Sequence, residues 1–334
     1  MRNRATISVV GGESLLGREL RDLISTERPS ILVKLLGVDE TAVTLTEKDG
    51  EPAIMTPLDE ENLAESAEAV LAGSPASSRK ALAAAAGCAS APVLIDMTYV
   101  AEDDPSARLR APLVEPPGYA APAGAVHVIA HPAAVALALF LLPLAAKFRI
   151  RRWTAEIFEP ASERGRTGLE ELRKQTVGLL SFQPMPKEIF DAQAAFNMLA
   201  RYGDEAPQAL ESVELRIERH LASLLDRHPA VPMPSIRLVQ APVFHGYSIS
   251  VHAEFEERPD VLSLAAALNS PEVDVRIGDI EPPNNAGIAG QSGIAVGAIV
   301  PDRNNANGCW FWVVTDNFRL MAQNALAVVR SLLP

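Results

Sequence analysis

Residues 6–20 read TISVVGGESLLGREL. A β-branched run ends in two glycines, and apolar residues then recur at Leu16, Leu20, Leu23 and Ile24, the spacing of one helical face. That is a strand, a tight turn and a helix. The pattern repeats downstream: ILVKLLGVD is strand-like, NLAESAEAVLAG leads into another strand, SRKALAAAAG is helical and PVLIDMT is a further strand. Strands that alternate with helices form βαβ units, so an α/β fold with a doubly wound parallel sheet is expected for the first part of the chain.

After about residue 150 the pattern changes. In TGLEELRKQTVGLL, Thr167 precedes Glu170 by three residues, a capping box, with Leu169, Leu172, Thr176 and Leu179 on one face. ALESVELRIERHLASLLDR repeats the helical spacing at Leu210, Val213, Ile217, Leu221 and Leu224. In YSISVHAEFE, Ile249, Val251, Ala253 and Phe255 alternate with Ser248, Ser250, His252 and Glu254, which predicts a one-sided sheet in an α+β domain. The chain closes with TDNFRLMAQNALAVVRSLL, a capped amphipathic helix placed to return to the first domain.

The chain has 334 residues, 48% hydrophobic, with a formal net charge of −12 and no clustered Lys/Arg run. Nucleic-acid and anionic-membrane partners, which need basic charge, are not expected. Two cysteines, Cys88 and Cys309, make neither a disulfide framework nor a metal site, and no metal is expected. The N-terminal MRNRATISVVGG is too poor in apolar residues for a signal peptide. The longest apolar run, 133–146, contains Pro143 and falls short of the roughly 18 residues of a spanning helix. The expected compartment is the cytoplasm.

The turn VVGGESLLG is the candidate cofactor site, because glycines let a backbone approach a pyrophosphate and a helix N-terminus favours its charge. Gly11 and Gly17 stand at the first and last positions of a G-x-x-G-x-x-G turn, and Ser14 takes the middle one. Glu13 beside it and Asp39 after the second strand add negative charge, and Asp39 suits a ribose hydroxyl of NAD better than the extra phosphate of NADP. A second feature is VHVIAHPAAVALALFLLPLAA, residues 126–146, where His131 and Pro132 break an apolar strand from an apolar helix. Cys88, Cys309 and His127 read as core residues, whereas His131 at the turn reads equally as a backbone-bonded residue and as a ligand contact.

These segments, taken in order, resemble the aspartate-semialdehyde dehydrogenase family over almost the full length, in particular its divergent Usg-like branch. The resemblance runs through VVGGESLLGREL, AGSPASS, VLIDMT, VIAHPAAVALALFLLPL, EPASERGRTGLEELRKQ, AFNMLA, APVFHGYSISVHAEFE and WVVTDNFRLMAQNALAVV. It implies a Rossmann-type nucleotide-binding domain, residues 1–131 and 315–334, and an inserted α+β catalytic and dimerisation domain, residues 132–314. It also implies a homodimer and an NADP-dependent, phosphate-linked reaction between aspartyl phosphate and aspartate semialdehyde. The cofactor positions it implies are Gly11, Glu13, Ser14, Leu15, Gly73, Ser74 and Gly165. NADP and NAD both stay open as cofactors, as does the small-molecule ligand.

The resemblance also implies four chemical positions, and here each carries another residue. Ala134 stands where the family has its nucleophilic cysteine, Tyr247 where it has the histidine acid–base, Glu159 where it has a glutamine, and Gln240 where it has an arginine that grips the substrate carboxylate. Alanine offers no nucleophile, and a phenol with a pKa of about 10 is a poor base at pH 7. His131 and His245 are the remaining participants to consider. Two readings follow. One is a homologue without the standard catalytic residues that acts as a non-catalytic dimeric binding or partner protein. The other is an active NAD(P)-dependent aldehyde oxidoreductase of amino-acid biosynthesis with a rearranged site. For the dimer, the expected surface is the sheet of the inserted domain together with the apolar helix after Pro132.

Overall fold

The structure, a computed structural model, describes residues 6–37, 44–48, 51–116, 118–119, 122 and 126–333. Asp39 lies outside the described residues. The chain divides into two compact units, Met1–Ala130 with Met321–Pro334, and His131–Leu320. The sequence-based cuts at 131/132 and 314/315 differ from these by one residue and by six.

The first unit contains, in chain order, β1 (Thr6–Val10), α1 (Leu15–Glu27), β2 (Leu32–Gly37), β3 (Thr44–Lys48), β4 (Glu51–Pro57), α2 (Glu60–Ala64), β5 (Glu68–Leu71), α3 (Pro75–Gly87), β6 (Val93–Asp96), β7 (Arg108–Arg110) and β8 (His127–Ile129). Its sheet runs β3-β4-β2-β1-β5-β6-β8-β7, parallel throughout except for the β3–β4 hairpin at one edge. This is the doubly wound sheet expected from the alternation of strands and helices. Both faces are apolar because both are covered. Ile7 and Val9 of β1 pack with Leu20, Leu23 and Ile24 of α1 and with the C-terminal stretch from Met321 to Val329. Val10, facing the other way, packs with Leu63 of α2 and Ala81 and Ala85 of α3.

The turn after β1 is as tight as its glycines suggest. Gly11 has φ +76°, and a Cβ there would collide with the backbone of Gly73 in the turn after the neighbouring β5. Ser14 caps α1, its hydroxyl accepting from the Gly17 N–H at 2.8 Å and donating to the Ala72 carbonyl at 2.6 Å. One serine therefore closes the helix and ties the two turns together.

The second unit contains α4 (Pro132–Ala145), β9 (Ile150–Glu159), a 3-10 turn (Ala161–Arg164), α5 (Gly165–Ser181), α6 (Leu210–Leu225), β10 (Ser235–Gln240), β11 (Tyr247–Phe255), α7 (Val261–Leu268), β12 (Val273–Val275), α8 (Asn285–Ile288), β13 (Ile294–Pro301) and β14 (Gly308–Thr315). The last helix, α9 (Asn317–Leu332), starts here, and its residues from Met321 onward belong to the first unit. The sheet order is β10-β9-β11-β14-β13-β12, mixed in direction. Ile249, Val251, Ala253 and Phe255 of β11 are all buried, as the alternation predicts.

Two expectations need correction. The apolar helix after Pro132 is interior rather than a dimer surface: Ala133 to Leu141 are all buried, and Phe140 meets Phe311 of β14 edge-on at 4.9 Å. Its continuous apolar sequence reflects enclosure on all sides within its own unit. Nor does Thr167 cap a helix. The 3-10 turn feeds into α5 two residues earlier, at Gly165 with φ +63°, so Thr167 lies inside the first turn and its hydroxyl donates to the Arg164 carbonyl at 3.0 Å. The buried side of α5 is more polar than its leucine spacing suggests. Glu171 accepts from the N–H groups of Ile189 and Phe190, and Gln175 accepts from those of Ala194 and Ala195, pinning the following loop. Among the described residues, no helix is long and apolar enough to cross a membrane.

The glycine turn yields a graded expectation. Gly11→Ala suffers both the left-handed φ and the collision with Gly73, whereas Gly118→Ala, at φ +77° in open space, suffers the first alone. Denaturant unfolding should show Gly118→Ala losing about 1 kcal/mol and Gly11→Ala clearly more. Equal losses would count against the close approach of the two turns.

Candidate functional site

Three neighbouring strands end side by side in the second unit. Glu159 closes β9, Gln240 closes the parallel β10 in register with it, and Tyr247 opens β11 on the other side of β9. All three are fully buried. A carboxylate enclosed this way has to be neutralised and hydrogen-bonded in place. Arg164, at the end of the 3-10 turn, lies with Nη2 2.5 Å from Glu159 Oε1 and also reaches Gln208. The Tyr202 hydroxyl donates to Gln240 Oε1 at 2.6 Å and lies 3.0 Å from Glu159 Oε1. The Gln240 amide donates to the carbonyls of Glu159 and Ala241 at 3.0 and 2.8 Å. The Tyr247 hydroxyl lies 3.5 Å from Glu159 Oε2. Burial opposes the charge on Arg164, but Glu159 outweighs it and raises the guanidinium above its ordinary value; burial, then Glu159, raises the Tyr202 phenol as well.

The helix start beside this network is also built from side chains. His131 caps α4, its Nδ1 accepting from the Ala133 N–H at 3.2 Å, and Pro132 takes the first helical position, where no N–H is needed. The His131 backbone N–H donates to Nδ1 of His220 on α6 at 2.9 Å. With Nδ1 accepting, the proton sits on Nε2, which faces Glu163 Oε1 at 3.3 Å. The His131 and Tyr247 rings meet edge-on at 5.9 Å. Burial works to raise the Glu163 carboxyl, but the hydrogen bond of His131 and the charge of Arg164 outweigh it and hold it at about 2. Ala134 follows in the first turn of α4, wholly enclosed, with only a methyl group to present.

The structure thus gathers Glu159, Gln240, Tyr247 and His131 into one network, with Ala134 on the helix that His131 caps. His245 belongs to a neighbouring cluster. Its Nε2 is 2.9 Å from Asp316 Oδ1 and its Nδ1 is 3.2 Å from the Ser162 hydroxyl. The Asn317 amide donates to Glu163 Oε2 at 3.2 Å and so links the two groups.

The cofactor positions divide between the units. Gly11, Glu13, Ser14, Leu15, Gly73 and Ser74 lie at the turns after β1 and β5 of the first unit, and Gly165 opens α5 in the second. Ser74 and Ser77 form a reciprocal capping box at the start of α3. Arg21 is buried behind the first turn, its guanidinium donating to the Gly12 carbonyl at 2.9 Å, while Glu13 is exposed. The cysteines take no part in either cluster. Cys88 caps the end of α3, and burial pushes the Cys309 thiol up to about 11. His127 lies 2.8 Å from Arg110 Nη1; burial first, then that guanidinium, holds it down at about 4.

The semialdehyde dehydrogenase dimerisation domain matches residues 141–320, more than half of the chain. The chain belongs to the semialdehyde dehydrogenase family. An aspartate-semialdehyde dehydrogenase from Rickettsia bellii is 29% identical over 213 residues, 62% of each chain. A USG-1 protein homolog from Pseudomonas aeruginosa is 31% identical over 198 residues, 58% of each chain. The chain therefore spans about three fifths of the length of these curated relatives. A probable aspartate-semialdehyde dehydrogenase from Pseudomonas aeruginosa, solved as a structure, superposes with a TM-score of 0.83 at 25% identity, over 99% of this chain and 98% of that one.

Within this semialdehyde dehydrogenase scaffold, sequence reading missed Glu163, Arg164, Tyr202 and His220. Arg164 had a local signal, since it lies five residues after Glu159 at a strand end. Tyr202 had none: it joins the network from an irregular loop 43 residues away from Glu159.

Two measurements test the network. Glu159→Ala leaves Arg164 buried without its nearest counter-charge and should cost about 3–5 kcal/mol, while replacing both with apolar residues of similar volume should cost much less. The two losses being equal would show that the pair is not acting as a unit. For Glu163, a folded value of about 2 against an ordinary 4.5 means stability that is present above 4.5 and lost as pH falls toward 2. Glu163→Gln should therefore flatten the acid limb of the stability curve across that window.

Proposed function

We propose that this chain is a dimeric binding protein that no longer runs the thiolate reaction of aspartate-semialdehyde dehydrogenases. The observation that carries this reading is Ala134. At the start of α4, where a helix N-terminus would hold a thiolate, there is a methyl group. The surroundings agree. Glu159, Gln240 and Tyr247 spend their hydrogen bonds on Arg164, Tyr202 and backbone carbonyls instead of directing them at a ligand. Gln240 lacks the charged fork that would clamp a carboxylate, and Glu159 would repel one.

A nicotinamide dinucleotide fits the first unit through its backbone. The close approach of Gly11 and Gly73 brings two helix N-termini together, and the first N–H groups of α1, at Leu15 and Leu16, have no intrahelical acceptor. Gly11, Ser14, Leu15, Gly73 and Ser74 would hold its phosphates. Such a group, when bound, supplies hydride transfer. Binding there is weakened because the Ser14 side chain occupies the middle of the turn and Glu13 places a carboxylate beside it. For self-association, the second unit presents Trp310, 39% exposed, and part of Trp312 on the sheet face opposite α4, an aromatic surface suited to a two-fold contact.

Three outcomes are expected of the purified chain. Light scattering at micromolar concentration shows a species of twice the chain mass; a monomer alone counts against the dimer. Calorimetry shows NADPH and NADH binding weaker than micromolar, and tighter binding overturns that part. A coupled assay with semialdehyde, phosphate and cofactor shows turnover far below the roughly 10 per second of a median enzyme. Ala134→Cys alone leaves it there, because Tyr247 still supplies no base at neutral pH. A rate within about tenfold of that median would sink the reading in favour of an active oxidoreductase.

A further inference from the structure

Ser162, His245 and Asp316 lie in a line, all within the second unit and outside the four positions that the family resemblance marks. The Ser162 hydroxyl is 3.2 Å from His245 Nδ1, and His245 Nε2 is 2.9 Å from Asp316 Oδ1. Asp316 is buried and fixed. Its Oδ2 accepts from the Gly290 N–H at 2.8 Å and its Oδ1 from the Arg319 N–H at 2.9 Å, so the carboxylate keeps one orientation. Burial works to raise its carboxyl, but the hydrogen bond of His245 and these N–H groups hold it below the ordinary range. An ionised Asp316 keeps the imidazole proton on Nε2, which leaves the Nδ1 lone pair facing the serine, whose hydroxyl has Asn317 Oδ1 at 3.3 Å as its other acceptor. Ser162 itself sits in the 3-10 turn between β9 and α5, a strand–turn–helix connection, and Gly165 opens α5 three residues later with its N–H donating to the Ser162 carbonyl.

We propose that Ser162, His245 and Asp316 form a serine-type acyl-transfer triad that hydrolyses small neutral esters. Ser162 and His245 are the catalytic residues and Asp316 is the positioning residue. The Ser162 oxygen attacks the ester carbonyl and its proton passes to His245 Nδ1. The bond to the alkoxy group breaks, and the departing oxygen takes that proton. Water then gives a proton to His245 as its oxygen attacks the acyl carbon, the bond to Ser162 breaks, and the serine recovers its proton. The balance is ester plus water to acid plus alcohol, with no oxidant or cofactor. The substrate class follows from the surroundings. Ser162 has no exposed surface of its own, while the neighbouring His245 ring is 28% exposed and packs against Phe318 at 5.2 Å, and Phe244 beside it is 45% exposed. These rings suit a short apolar acyl group. Glu163, held as a carboxylate next to Asn317, disfavours anionic substrates.

The test uses the full chain, a small fluorophosphonate with mass spectrometry, and p-nitrophenyl acetate turnover, all without nicotinamide, so its result is independent of the dehydrogenase assay. One adduct on the Ser162 peptide is expected. Ser162→Ala should bring turnover to the buffer background, His245→Gln should slow both labelling and turnover at least about tenfold, and Asp316→Asn should lower kcat with KM unchanged. No adduct on Ser162 in the unmodified chain, adducts only elsewhere, or unchanged rates in His245→Gln would each overturn the proposal. The unmodified chain decides the matter even if a variant fails to fold.

Discussion

The arrangement of the second unit hangs on one buried charge. Glu159 ends a central strand in a place with no access to water, and an isolated carboxylate there would cost several kcal/mol. The fold answers with Arg164, only five residues on, which the 3-10 turn brings back over the strand end. Once that pair exists, its neighbours are constrained in turn. Tyr202 has to point its hydroxyl inward, Gln240 has to accept from it, and the loop carrying Tyr202 has to stay where Glu171 and Gln175 pin its upstream part. A polar network of this kind holds one geometry well, because each member has a single place for its hydrogen bond.

The same constraint governs what the site can bind. A ligand pocket needs polar groups whose hydrogen-bonding capacity is left for the ligand. Here the strand ends direct theirs to each other and to the main chain, and the His131 cap spends the ring on Ala133 and Glu163. His245 differs. It lies at the edge of the cluster, partly exposed, with one nitrogen held by a fixed carboxylate and the other on a hydroxyl. Of these groups, His245 is the least enclosed.

Much of the fold was legible because burial has a period. The alternation along β11, the helical spacing of α1 and α6 and the glycines of the first turn each encode a local geometry that the structure repeats. The apolar run of α4 was legible as a helix but not as interior, since a run that is apolar on every side reads the same whether a partner chain or its own unit covers it. The site was legible only in part. The absence of a thiol at Ala134 is a statement about one position and needs no structure. The partners of Glu159 are not local: Tyr202 is 43 residues away and Gln240 reaches it across a strand pair 81 residues apart. No spacing rule connects such positions, because sheet pairing rather than sequence brings them together.

The coupling also ties Glu159, Gln240 and Tyr247 to one another. A glutamine at Glu159 strands Arg164 from its nearest counter-charge, and an arginine at Gln240 places a second guanidinium beside it. A histidine at Tyr247 removes the ring that packs edge-on to His131. Each substitution alone is opposed by the neighbours that remain, and residues that share a network do not contribute additively. Single changes within the network therefore pass through destabilised intermediates, and its members hold one another in place through their mutual dependence.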